Sequence, residues 1–235
     1  MADRCLPTTT SAGASSADLA VLPVGSFEQH GTHLPLATDT VIASELARRI
    51  AADLDALLLP PVCFSCSHEH AGFAGTVSLT AGTLIAVVTD IAADLERGGI
   101  KHLVVVNGHG GNSVLTNVAQ EANVCRTRIL LYPNSYDWTA ARIAAGCATS
   151  THEDMHAGEA ETSILLYVDP ALVSDGWEQE DCLVDDRARL TLVAMHGYSK
   201  TGVIGAPSFA TAAKGQQLLD ALVEGAIQAV AVMRG

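Results

Sequence analysis

The chain has 235 residues, of which 49% are hydrophobic and 17% charged, a composition that fits one globular domain with a sizeable core and argues against disorder. Its 13 basic and 26 acidic residues leave a formal net charge of -13, which repels phosphates and speaks against nucleic acid or an anionic membrane as partner. Apolar stretches are broken by Asp, Glu, Arg or Gly before the roughly 20 residues a membrane span needs.

Residues 1–18, MADRCLPTTTSAGASSAD, lack the apolar centre of a secretory signal and are expected to be a flexible arm before a single domain, 19–235. Leu19 to Val24 reads as a buried strand ending at Gly25. Apolar residues at helical spacing (Val41, Ile42, Leu46, Ile50, Leu54) predict a helix over 39–55, and 56–59 a short strand stopped by Pro60-Pro61. A helix over 83–97 closes at Gly98-Gly99, and HLVVV, 102–106, is the clearest buried strand. Helix 112–124, strand 128–132, and helices 158–168 and 212–233 follow, with 135–154 read as loop. This alternation predicts right-handed βαβ units: an α/β fold, with a mainly parallel sheet between two helical layers. Ligands in such sheets sit beyond the carboxyl ends of the strands.

Polar clusters follow two of those strands. In GSFEQHGTHLPLATD, Glu28 and His30 are two apart and can face one site in an extended loop, and Asp39 stands at a helix start, where it could cap the helix or bind a metal. Carboxylate with imidazole suits Zn²⁺, Mn²⁺ or Fe²⁺. NGHGGN, 107–112, carries His109 between glycines that let backbone approach a ligand; without a following Lys or G-x-G-x-x-G it is a weak nucleotide loop. In HAGEAETS, 156–163, His156 precedes a helix with Glu159 and Glu161 in its first turns. Acidic residues there suit the helix dipole; alternatively one is a ligand and His156 moves protons, and spacing does not choose between the glutamates.

PVGSFEQHGTHLPLATDT, HEHAGFAGTVSL, NGHGGN and HAGEAETS, in this order along nearly the whole chain, resemble the motifs of the creatininase (creatinine amidohydrolase) family. The resemblance implies a three-layer α/β/α domain with two divalent ions, Zn²⁺ or Mn²⁺ and in some cases Fe²⁺, in a homo-oligomer, often a hexamer. Glu28 and His30 would each bind one ion, Asp39 both, and His109 the first; His156 matches the catalytic histidine. Creatininase has a glutamate two residues after the His109 position, where this chain has Gly111, so Glu161 becomes the expected fifth ligand, with a base as its other possible role. His70, Gly75, Thr76, Gly110 and Trp138 are expected around the substrate pocket, and His33 behind the ligands.

The departure at Gly111 turns expectation from creatinine toward a biosynthetic amidohydrolase that cleaves a C–N bond of a small cyclic or linear amide, with a small molecule or short peptide as substrate. A mycofactocin-type precursor peptidase and a formamidopyrimidine deformylase are the named alternatives beside creatinine amidohydrolase itself. The same departure leaves open a non-catalytic binding or structural subunit that kept the fold. Cys5, Cys63, Cys66, Cys125, Cys147 and Cys182 are expected to be reduced in a cytoplasmic protein; the pair Cys63 and Cys66 could otherwise serve redox or zinc chemistry. The acidic run 178–186 reads as a solvated face, and Lys214 as structural.

Overall fold

In the computed structural model, which describes residues 6–124 and 128–235, β1 (Leu19–Val24), β2 (Leu57–Leu58), β3 (His102–Asn107) and β4 (Arg128–Tyr132) form one parallel sheet in the order β2-β1-β3-β4. Cys5 and Cys125 lie outside the described residues. β1 and β3 are the inner pair, in register from Leu19 opposite His102 to Val24 opposite Asn107. The two polar clusters therefore leave the sheet side by side, at the carboxyl ends where a parallel sheet places its ligands.

Strand alternation splits the core in two. Leu19, Val21, Val104 and Val106 face α2 (Thr38–Asp53), α6 (Glu159–Val168) and α8 (Ala212–Arg234), burying Ile42, Leu46, Ile164, Leu218 and Leu222. Ala20, Leu22, Leu103 and Val105 face α3 (Ala81–Arg97) and α4 (Val114–Val124), burying Leu84, Val88 and Leu115. The expected three-layer α/β/α sandwich is the observed fold. A short α1 (Ser11–Ala14) precedes β1, and a four-residue α7 (Leu190–Val193) lies between α6 and α8. Among the described residues no helix is long and apolar enough to cross a membrane.

Part of 135–154, expected as loop, is helix: α5 (Ser135–Ala144) starts at a capping box in which Asn134 accepts from Asp137 N and Asp137 accepts from Asn134 N. α5 packs on α8 and buries Ala141 and Arg142.

Two glycines let α2 reach the sheet. A Cβ at Gly25 would collide with the backbone of Thr40, and one at Gly108 would stand 2.5 Å from the carbonyl oxygen of Asp39. The first turn of α2 is thus wedged between the ends of β1 and β3, with Asp39 at its tip.

Candidate metal centre

Asp39 is buried in that first turn, where the helix dipole favours a carboxylate. Its Oδ2 accepts from Ser26 Oγ at 2.8 Å and lies 3.1 Å from His109 Nδ1, while Oδ1 lies 3.0 Å from His30 Nε2. Glu28 Oε1 is 3.1 Å from His109 Nδ1, and Glu161 Oε2 is 3.9 Å from His30 Nε2. Glu28, Asp39 and His109 thus form one cluster of donor atoms, all within 4.8 Å of one another, and His30, Asp39 and Glu161 form another. Asp39 belongs to both. Glu28, His30 and His156 also meet that distance.

The outward nitrogens fix the tautomers. His30 Nδ1 donates to the carbonyl of Glu28 at 3.0 Å, and His109 Nε2 to the carbonyl of Cys66 at 2.8 Å. Each ring then aims its other nitrogen at two carboxylates, an arrangement that needs a cation or a proton between them. His70 is held the other way. Gln29 Oε1 accepts from Gly31 N at 2.9 Å, so its amide nitrogen donates to His70 Nδ1 at 2.8 Å. His70 therefore carries its proton on Nε2, 3.2 Å from Glu28 Oε1.

The charges fit a divalent metal. Asp39 and Glu161, with the adjoining Glu28, stand at a cavity of about 540 Å³ lined in part by His70, His109 and His156, and among the described residues no lysine or arginine lines it. Both carboxylate oxygens of Glu28 are buried; Oε1 meets imidazole nitrogens, His109 Nδ1 at 3.1 Å and His70 Nε2 at 3.2 Å, and Oε2 has no hydrogen-bond partner among the described residues. Such an orphaned acceptor is costly unless something positive is bound. Oxygen and imidazole donors, without thiolates, suit Zn²⁺, Mn²⁺ or Fe²⁺.

Ionisation follows the same geometry. Burial works against a charged His30, yet Asp39, then Glu161 and Glu28, raise it to about 9. Burial likewise opposes His109, but hydrogen bonds to Asp39, Glu28 and Glu69 hold it well above the usual histidine range. Asp39 lies well below the carboxylate range because His30 and His109 outweigh its burial. Burial pushes Glu161 up to about 7, against the attraction of His30. Burial, with the His30 and His70 charges, drives His156 well below the usual value, so it is neutral. Its Nε2 donates to the carbonyl of Gln29 at 2.7 Å, which leaves Nδ1 as an open proton acceptor.

The structure separates the glutamates that spacing could not. Glu161 lines the cavity and accepts from Ala157 N at 2.6 Å. Glu159 is turned away, accepting from Ala148 N, Thr149 N and Oγ1, and Lys214 Nζ. Gly110 lines the cavity; Trp138 lines a second one of about 230 Å³, which adjoins the first along Gly110, Met155, His156 and Glu161. Thr76 and Gly75 line neither: Thr76 Oγ1 accepts from Gln29 N at 3.1 Å, and Gly75 packs on Leu36. His33 Nε2 pairs with Thr162 Oγ1 at 3.2 Å. Cys66 reaches the centre through its carbonyl, and Cys63 Sγ lies 3.6 Å from the carbonyl of Pro61. Sequence reasoning missed Gln29, Ser26 and Glu69; the first two sit inside the GSFEQH run, and Glu69 lies between the histidines of HEH.

The profile of the creatininase family, described as creatinine amidohydrolase, matches residues 6–230. The chain belongs to the creatininase family. It is an amidohydrolase, acting on a carbon–nitrogen bond. It is 34% identical over 242 residues to the mycofactocin precursor peptide peptidase of Mycobacterium tuberculosis, covering 95% of this chain and 88% of that protein. Identity to the creatinine amidohydrolase of Pseudomonas putida is 37% over 99 residues, 40% of this chain and 38% of that one. Among solved structures, a creatininase variant complexed with creatine superposes with a TM-score of 0.81 at 24% identity, covering 95% of both chains. A manganese form of creatininase superposes at 0.71 with 25% identity, covering 93% of this chain and 91% of that one.

Proposed function

We propose that this creatininase-family member is a dinuclear metal enzyme that hydrolyses an amide bond in a short peptide or small amide, as a step of biosynthesis. The observation that carries the reading is Asp39, common to two sets of donors. Glu28, Asp39 and His109 would hold one ion, and His30, Asp39 and Glu161 the other. Zn²⁺ and Mn²⁺ are the favoured ions, with Fe²⁺ compatible with the same donors. A bound pair would supply a water activated at neutral pH and polarise the scissile carbonyl.

The chain supplies the rest. His156, neutral and pinned by Gln29, offers Nδ1 to take up a proton and return it to the leaving nitrogen. Gln29 also fixes His70, whose Nε2–H orients Glu28. These positions are set before substrate arrives, so little is spent on reorganisation.

Two observations favour a peptide over creatinine. Sequence identity of 32–34% to the precursor peptide peptidases runs through 90–95% of the chain, whereas the 37% identity to the creatinine amidohydrolase of Pseudomonas putida is confined to 40% of it and the whole-chain likeness to creatininase structures stands at 24–25%. The cavities on either side of His156 and Glu161 adjoin, which suits an elongated substrate better than one small ring. The reading places the protein in the cytoplasm as a homo-oligomer, such as a hexamer. The test is metal analysis followed by assays of a C-terminally cleavable peptide, a formamidopyrimidine and creatinine. Two ions per chain and turnover of the peptide are expected; creatinine turnover at ordinary enzyme efficiency would overturn the substrate assignment.

A further inference from the structure

Glu69 lies in a 3₁₀ turn, His68–His70, outside both donor clusters. Its Oε1 is 3.3 Å from His109 Nε2, the nitrogen that also donates to the carbonyl of Cys66. Its side chain is 24% exposed and borders the cavity. Across from it is Gly111. A Cβ built there would collide with Glu69 Oε1 and with His109 Nε2, and would stand 2.6 Å from the carbonyl oxygen of Cys66. The Glu69 carboxylate therefore fills the space in which any side chain at position 111 would have to begin.

We propose that Glu69 is the positioning residue of His109, and that Gly111 is glycine because Glu69 occupies its side-chain space. The inference rests on the dinuclear reading. Two acceptors, the Cys66 carbonyl and the Glu69 carboxylate, hold the Nε2 proton on the outer side of His109. That fixes the ring plane and commits Nδ1 to the Glu28 and Asp39 side, where an ion would be bound. A carboxylate behind a ligating imidazole also makes it a stronger donor. The absence of a side chain at 111 is then one half of a pair, the other half being delivered from a different loop. Only a glycine at 111 leaves room for that loop to close on His109.

Glu69→Gln tests this because it keeps size and removes charge. Metal-stripped wild type and variant are titrated with Mn²⁺, and the outer proton of His109 is followed by NMR on ¹⁵N-histidine-labelled protein. The variant is expected to bind one ion about 10–100-fold more weakly, with the other unchanged. The His109 Nε2 proton is expected to move upfield and exchange faster, with the thermal midpoint of the metal-free protein unchanged. Gly111→Ala, which must displace Glu69, is expected to give the same loss, and adding it to Glu69→Gln little more. Unchanged affinity for both ions overturns the proposal; so does complete loss of one ion, which would make Glu69 itself a ligand. If wild type takes up no ion, the dinuclear reading falls, and the NMR measurement alone decides Glu69: an unmoved resonance overturns its role.

Discussion

Oε2 of Glu161 stands 3.9 Å from Nε2 of His30, on the side of the imidazole that Asp39 also faces. A carboxylate raised to about 7 by burial is poorly stabilised there without a cation. Glu161→Ala is expected to leave one tightly bound ion per chain instead of two, measured by elemental analysis of purified protein. Two retained ions with lost turnover would instead make Glu161 the base of the reaction.

Glu159 gives the contrast. It is fully buried, and its partners belong to the fold: the amides of Ala148 and Thr149 and the ammonium of Lys214. Glu159→Ala strands buried donors and is expected to cost about 1–3 kcal/mol in urea unfolding. Its metal content should match wild type; a missing ion would contradict the assignment of Glu161 over Glu159.

His156 is expected to act on protons rather than on metal. His156→Ala should keep both ions and lose about 10²–10⁴-fold in turnover. Because His156 also lies within reach of Glu28 and His30 as a third donor set, metal content is the deciding measurement. A lost ion would make it a ligand.

Metal uptake should depend on pH with a definite sign. In protein stripped by a chelator, His30 keeps its proton up to about pH 9 and Glu161 to about pH 7. An ion must displace those protons, so affinity rises with pH through both values and proton release is largest below about 7. Between them, each proton displaced strengthens binding about tenfold per pH unit. Calorimetric titrations in buffers of different ionisation enthalpy measure the release directly; buffer-independent heats would rule it out.

The fold was legible because its signals are local. LAVLPV and HLVVV announce buried parallel strands, and Gly98-Gly99 closes α3 where expected. The residues gathered around Asp39 were legible because each follows the carboxyl end of a strand or opens a helix. What stayed hidden depends on distant approach. Glu69 meets His109 from another loop, and only the closed fold shows that Gly111 leaves space for it. Thr76 supports the Gln29 backbone rather than lining a pocket, a partnership across 47 residues. α5 escapes for a different reason: its start signal is the capping box of Asn134 with Asp137, and without that pairing all ten of its residues read as loop.

The wedge of α2 between Gly25 and Gly108 has its own consequence for how the two donor sets fail. A ligand substitution damages one set and spares the other. A methyl group at either glycine would push the whole helix tip outward, carrying away the one carboxylate that belongs to both. Occupancy of the two positions would then decline together, as a single cooperative loss controlled by backbone spacing at the strand ends and not by the chemistry of any one ligand.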